Sequence, residues 1–278
     1  MALPTEKLGT TYAEVTTKID PDRAKQYAAA TNDGNPAYAD GTYAPPVFGV
    51  VPTWEAIGAA VGDVVPPEAL MMIVHGEQDM HFHQPLVPGR SLITSAEAHS
   101  IRVGGSGTRF TTRVTSRDAE TGDAVLEQFV TMFIRGMADG ESAGPDKPDH
   151  SFSPGSSEAA GQFAVHVDDD QTFRYREASG DQMPIHVDEN FAKQVGLPGI
   201  IAHGLCTMAM TSQSVIQTVA GGDPARLKRL AVRFSKNVFP GDDVQTTIYA
   251  IGSGAYGFEA TTNRGDTVIS NGRAEIAG

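Results

Sequence analysis

Apolar and polar positions along this chain change period in one order, and then repeat that order. Tyr12 to Ile19 reads as a short strand, and the run that follows opens at Asp20-Pro21-Asp22, with acidic and proline residues where a helix N-terminus favours them. That predicted helix ends in Asn32-Asp33-Gly34-Asn35-Pro36-Ala37-Tyr38. In the second half a strand over Phe163 to Val167 leads to a helix after Asp168-Asp169-Asp170, which ends in Gly180-Asp181-Gln182-Met183-Pro184-Ile185-His186. In this register Asp33 pairs with Asp181, and Tyr38 falls where His186 does. An apolar helical stretch follows each time, around Val47 to Val61 and from His203 to Val219. Next comes a strand closed by a Pro-Gly turn, at Val87-Pro88-Gly89-Arg90 and at Phe239-Pro240-Gly241-Asp242. Three β-rich segments complete each half: Ser91 to Val103, Thr108 to Ser116 and Ala124 to Arg135, then Val244 to Ile251, Tyr256 to Thr262 and Thr267 to Ile276.

The two halves are separated by Gly136 to Gly161, where Gly, Ser, Pro and Asp accumulate and large apolar residues almost vanish. The expected organisation is therefore a half over 1–135, a linker over 136–161 and a half over 162–278. Each half predicts an antiparallel sheet wrapped around an apolar helix, an α+β plan that occurs twice.

Composition narrows the class of function. The 278 residues are 40% hydrophobic and 20% charged, a balance that supports a sizeable core. A formal charge of −13 argues against the broad basic surface that nucleic acid or an anionic membrane requires. No apolar run reaches the length expected of a membrane span, and the N-terminus carries no sustained apolar segment. With a single cysteine, Cys206, an intrachain disulfide is impossible, and a cytoplasmic location is the expectation.

An Asp five residues before a His is uninformative as a bare spacing, and on spacing alone a loop Asp capping a backbone amide beside a half-buried His explains it better. The setting adds weight. The pair lies in a Gly/Pro-interrupted loop after a helix, where side chains project into clefts. A histidine titrates near neutral pH and exchanges protons, while the aspartate orients a water. Downstream, Ile200-Ile201-Ala202-His203-Gly204 leads directly into the long apolar helix. Its first amides have no intrahelical partner, so the Gly204 N–H is a candidate donor to a developing oxyanion.

The loop Gly180 to His186, Ala202-His203-Gly204, and Arg233-Phe234 with Val238-Phe239-Pro240-Gly241-Asp242 together resemble the MaoC-like, (R)-specific enoyl-CoA hydratase family. The second-half motifs span roughly 160–276, and the first half matches in outline. The resemblance implies a double hot-dog fold and the hydration of a trans-2-enoyl thioester, or its reversal. It assigns water activation to Asp181 and His186 and carbonyl polarisation to the Gly204 amide. Ser212 is the nearest match to a serine found near the catalytic pair in relatives. The substrate is expected on CoA or acyl carrier protein, with Arg233 and Lys236 as candidate phosphate-binding residues and no metal or redox cofactor. The chain is expected as a monomer of two fused hot dogs or a homodimer of these. Two departures stand out: Met183 replaces the usual Asn, and the first half has Tyr38 in place of His and Pro45-Pro46-Val47-Phe48-Gly49 in place of the His-Gly motif. One active site per chain follows. A hot-dog thioesterase and a non-catalytic acyl-thioester-binding subunit are the rival readings. His81 and His83 lack a third metal ligand, and Cys206 reads as core.

Overall fold

Residues 2–155 and 158–278 are described by the computed structural model. In chain order they form β1 (Val15–Lys18), α1 (Pro21–Ala30), α2 (Pro36–Ala39), α3 (Trp54–Val64), β2 (Ile73–Phe82), β3 (Ser91–Gly104), β4 (Gly107–Asp118) and β5 (Ala124–Arg135). There follow β6 (Gly161–His166), α4 (Gln171–Ser179), α5 (Glu189–Gln194), α6 (Gly204–Val219), β7 (Leu227–Phe234), β8 (Asp243–Gly252), β9 (Ala255–Thr262) and β10 (Thr267–Ile276). The predicted strands are all present, with ends moved by a few residues.

The repeat is carried into the topology. Within one unit the sheet order is β1-β3-β4-β5-β2 and within the other β6-β8-β9-β10-β7, which is the same order once the second set is renumbered. Neighbouring strands within each sheet pair antiparallel. In the first sheet's unit α3 packs on β3 and β4, and in the other unit α6 packs across β6, β8, β7 and β10. From Leu205 to Ile216 every residue of α6 is buried, as the apolar stretch predicts. The Pro-Gly turns also do matching work, because the Gly89 amide donates to Ile19 O at 2.8 Å and the Gly241 amide to Val167 O at 2.7 Å.

Contacts divide the chain differently from a cut at the linker. One unit is Met1–Lys18, Pro52–Gln84 and Arg90–His150; the other is Ile19–Val51, Pro85–Gly89 and Ser151–Gly278. The expected half over 1–135 thus gives its first helices to the second unit. Tyr27 of α1 meets Tyr175 of α4, with hydroxyls 3.0 Å apart, and the Arg23 Nε–H donates to Ala178 O at 2.8 Å. Much of the expected linker is tied down as well. Ala143 bridges Ile101, and the Arg102 guanidinium donates to the carbonyls of Ala143, Gly144 and Pro145 and pairs with Asp146 at 2.7 Å. Linker residues 156 and 157 lie outside the described residues.

Three local expectations change. The stretch from Val47 to Val61 is α-helical only from Trp54; Pro46–Thr53 winds as a 3₁₀ helix, because Pro52 lacks an N–H for an i→i−4 bond. The helix α5 was not foreseen, although Asp188 caps it by accepting from the amides of Asn190 and Phe191. The combined run Pro46–Val64 is, by length and composition, apolar enough to cross a membrane, at mean hydropathy 1.2. It is 61% buried, and its α-helical part packs on β3 and β4, as a core helix does.

The start of α1 offers a check. Asp20 accepts from the Arg23 amide at 2.8 Å, and Pro21 occupies the first helical position. Asp20→Ala is expected to lower stability by about 0.5–2 kcal/mol, read from the denaturant midpoint at unchanged m-value.

Candidate active site

The loop after α4 is shaped by its own polar groups. Gly180 ends the helix in the left-handed region, at φ +80, where a side chain is strained. A Cβ there would also lie 2.6 Å from an Arg23 guanidinium nitrogen, the far end of a side chain that would have to shift. Next in sequence, the Asp181 amide donates to Ser179 Oγ at 3.1 Å and Asp181 Oδ1 accepts from the Met183 amide at 3.0 Å. This is an Asx-type turn. Pro184 then opens one 3₁₀ turn that delivers His186 inward, 8% exposed.

His186 is held from the segment before α6. Its Nδ1 lies 2.8 Å from Ile201 O, and the Ile201 amide returns a bond to Ile185 O at 3.3 Å. A carbonyl only accepts, so Nδ1 carries the proton and Nε2 keeps its lone pair, the tautomer a general base needs. Burial holds the His186 pKa below its usual value; the Ile201 carbonyl and the Asp181 charge oppose that only in part. The neutral base therefore predominates at neutral pH.

The His203 ring lies against this imidazole, with centroids 3.8 Å apart and planes within 26°. It is 1% exposed, and burial pushes its pKa down to about 2, helped by the neighbouring His186. Donor atoms of Asp181, His186 and His203 all lie within 4.8 Å of one another, which invites comparison with a metal centre. The stacking argues otherwise. Near-parallel rings place their in-plane lone pairs side by side rather than converging on one ion, and His186 Nδ1 is already committed to Ile201.

Gly204 opens α6 with His203 as its cap residue. A Cβ at Gly204 would come within 3.3 Å of the Phe234 ring, so packing adds a second reason for glycine here. Ala202 anchors the approach by donating to Val238 O at 2.8 Å. Ser212 faces inward on α6, 3% exposed, and its Oγ has no hydrogen-bond partner among the described residues.

Most of the basic residues along β7 and its flanks are already partnered. Lys236 pairs with Asp266 at 2.6 Å, buried Arg229 meets Glu275 at 3.4 Å, and Arg226 donates to the carbonyls of Ala277 and Ala220. Arg233 is exposed on β7 and has no carboxylate in ion-pair range among the described residues. Met183 is 44% exposed, so the loop uses its amide and not its side chain. Cys206 is core: 1% exposed, with its thiol pushed up to about 12 by burial.

The first-half counterpart is chemically different. Asp33 is raised to about 6 by burial, and Tyr38 is buried with its hydroxyl unpartnered among the described residues and its pKa driven well above the usual value. A phenol so disfavoured as an anion does not replace a histidine as proton shuttle. Sequence reasoning quoted His203 within a motif but gave it no role, and it passed over Tyr27 and Tyr175. Their signal in sequence is that of ordinary core aromatics.

The fold and this loop together define an antiparallel-sheet protein of hot-dog type with an Asp/His site beside the start of its central helix. Residues 157–271 match the MaoC like domain family, and residues 38–136 match the MFE-2 hydratase 2 N-terminal domain. The chain is 31% identical over 209 residues to a probable enoyl-CoA hydratase 2 of Dictyostelium discoideum, covering 74% of this chain and 70% of that protein. It is 32% identical over 209 residues to 3-hydroxyacyl-thioester dehydratase Y of Mycobacterium tuberculosis, covering 72% and 70%. The crystal structure of a MaoC-like dehydratase from Phytophthora capsici superposes with TM-score 0.91 at 27% identity, covering 99% of this chain and 98% of that one. The chain belongs to the MaoC-like, hydratase 2 family and has the double hot-dog fold.

Proposed function

We propose that this hydro-lyase hydrates trans-2-enoyl thioesters to (R)-3-hydroxyacyl thioesters, and catalyses the reverse dehydration at the same site. The observation that carries the reading is the 2.8 Å contact of His186 Nδ1 with Ile201 O, which leaves the Nε2 lone pair available with Asp181 beside it. In the forward direction Nε2 takes a proton from water as the hydroxyl adds at C3, with Asp181 orienting that water. The double-bond electrons move to the thioester oxygen as an enolate, which the Gly204 amide at the N-terminus of α6 stabilises. The proton returns at C2, so water is added across the double bond and nothing else is consumed. Ser212 lies on the same helix, its hydroxyl without a partner among the described residues, and is assigned a supporting hydrogen bond.

No metal or redox cofactor enters these steps, in keeping with the stacked donor set. Arg233 is the cation assigned to the phosphates of CoA, while Lys236 must first leave Asp266 to share that task. A CoA thioester is the substrate proposed; an acyl carrier protein thioester is the variant form. The protein is proposed to act in the cytoplasm, as the fused pair alone or as a homodimer of it. The thioesterase reading is weaker, since the matching families and the similar relatives are named for hydration and dehydration rather than hydrolysis.

The test offers trans-2-enoyl groups of short and long chain, on CoA and on carrier protein, and separates the products on a chiral phase. The (R)-3-hydroxyacyl thioester is expected. Free thiol released without hydration would favour the thioesterase.

A further inference from the structure

We propose that His203 is a positioning residue for the hydration reaction: its ring face, the last step of a buried aromatic column, fixes the plane of the His186 imidazole. This rests on the assignment of His186 as the base. The column runs within one unit of the fold. Phe48 meets Tyr27 edge-on at 5.5 Å, Tyr27 meets Tyr175 at 5.3 Å, Tyr175 meets His203 at 4.8 Å, and His203 meets His186 at 3.8 Å. The interplanar angle falls along it from 81° to 58°, 46° and 26°, so the last two rings lie nearly face to face. The Tyr27 and Tyr175 hydroxyls, 3.0 Å apart, brace its middle.

The imidazole plane contains the Cβ–Cγ bond, so the bond from His186 Nδ1 to Ile201 O selects that plane but holds it through a single in-plane contact. A flat ring at 3.8 Å limits the out-of-plane swing that remains, and with it the spread of directions in which the Nε2 lone pair points. Packing alone does not account for a histidine here. Neither buried His203 nitrogen makes a well-formed hydrogen bond among the described residues, and the approach of the Asp181 backbone is the weakest influence on the ring, so the histidine carries a cost that phenylalanine avoids. Residues that break a local rule at some cost are concentrated at functional sites.

Neutrality matters to the role. The titratable groups around His203 are His186, Asp181 and the two phenols, with the Cys206 thiol on α6 beside those phenols. A ring that stays uncharged lets His186 accept the water proton without a second cation stacked against it.

His203→Ala removes the face, whereas His203→Phe keeps it and deletes the nitrogens. In the full chain, His203→Ala is expected to lower kcat about 10–100-fold with KM changed by less than about twofold, and to move the acid limb of the kcat profile upward as water reaches His186. His203→Phe should keep kcat within about fivefold of the parent and the acid limb in place, and melt no lower than the parent. Proton NMR of the His186 ring gives a readout independent of turnover: the ring-current displacement of its signals persists in His203→Phe and disappears in His203→Ala. Equal losses in both variants, a parental pH profile in His203→Ala, or unchanged His186 signals there would overturn the proposal. A parent enzyme without hydratase activity counts against the functional reading alone, because the NMR comparison still decides whether the stack sets His186.

Discussion

Asp181→Asn and His186→Ala each lower kcat for enoyl-thioester hydration by about 10²–10⁴-fold, the range associated with a positioned general acid–base group, while circular dichroism stays that of the parent. The asparagine keeps the size of the aspartate but cannot hold the negative charge that orients water and opposes the desolvation of His186. The alanine removes Nε2. Because both groups act on one water, the double variant should be little worse than the poorer single variant. The parent's pH profile carries the same assignment. With its pKa held below the usual 6.5 by burial, His186 is neutral and active through neutral pH, and kcat falls only as pH drops through that lowered value. In His186→Ala the residual rate should lose this acid limb.

The second large effect is on stability. His203 titrates at about 2 in the fold, whereas an unfolded histidine titrates near 6.5. Below 6.5 the unfolded chain therefore binds a proton that the folded chain refuses. Its contribution is fully present above 6.5 and declines as pH falls, by about 1.4 kcal/mol per pH unit, or about 3 kcal/mol between pH 6.5 and 4. Other groups overlap this window. Asp33, raised to about 6, binds its proton more readily in the fold and so adds stability as pH falls through 6. Glu77, lowered to about 2 against the desolvation of burial by bonds from His150 and Lys147, loses its contribution below its ordinary pKa. The His203 share is thus read as the difference between parent and His203→Phe across urea titrations at several pH values. That difference should move in the variant's favour as the solution is acidified; a constant difference would mean that His203 is protonated in the fold.

The order of elements and the Asp/His loop were legible because they depend on local signals. Asp20-Pro21 starts a helix, Pro240-Gly241 turns a strand, and Gly180 ends α4 wherever these residues meet. The grouping of residues 19–51 with the second unit was not legible, since it rests on contacts such as Tyr27 with Tyr175, some 150 residues apart in sequence, for which no local pattern exists. The same reason hid the fate of Lys236, whose partner Asp266 lies across a strand connection. His203 was in view as a letter of a motif, but a stack at 3.8 Å is a property of two loops meeting. Met183 shows the converse: its side chain stands out in the motif, yet it is exposed and the loop is held by its amide.

The most direct measurement is the loss of enoyl absorbance on mixing the purified chain with trans-2-enoyl-CoA of short and long acyl chains, with the Asp181→Asn, His186→Ala double variant alongside. Hydration by the parent at some chain length and its near-absence in the folded double variant is the expected result. An inactive parent on every substrate, or a double variant as fast as the parent, would contradict a hydratase site built on Asp181 and His186.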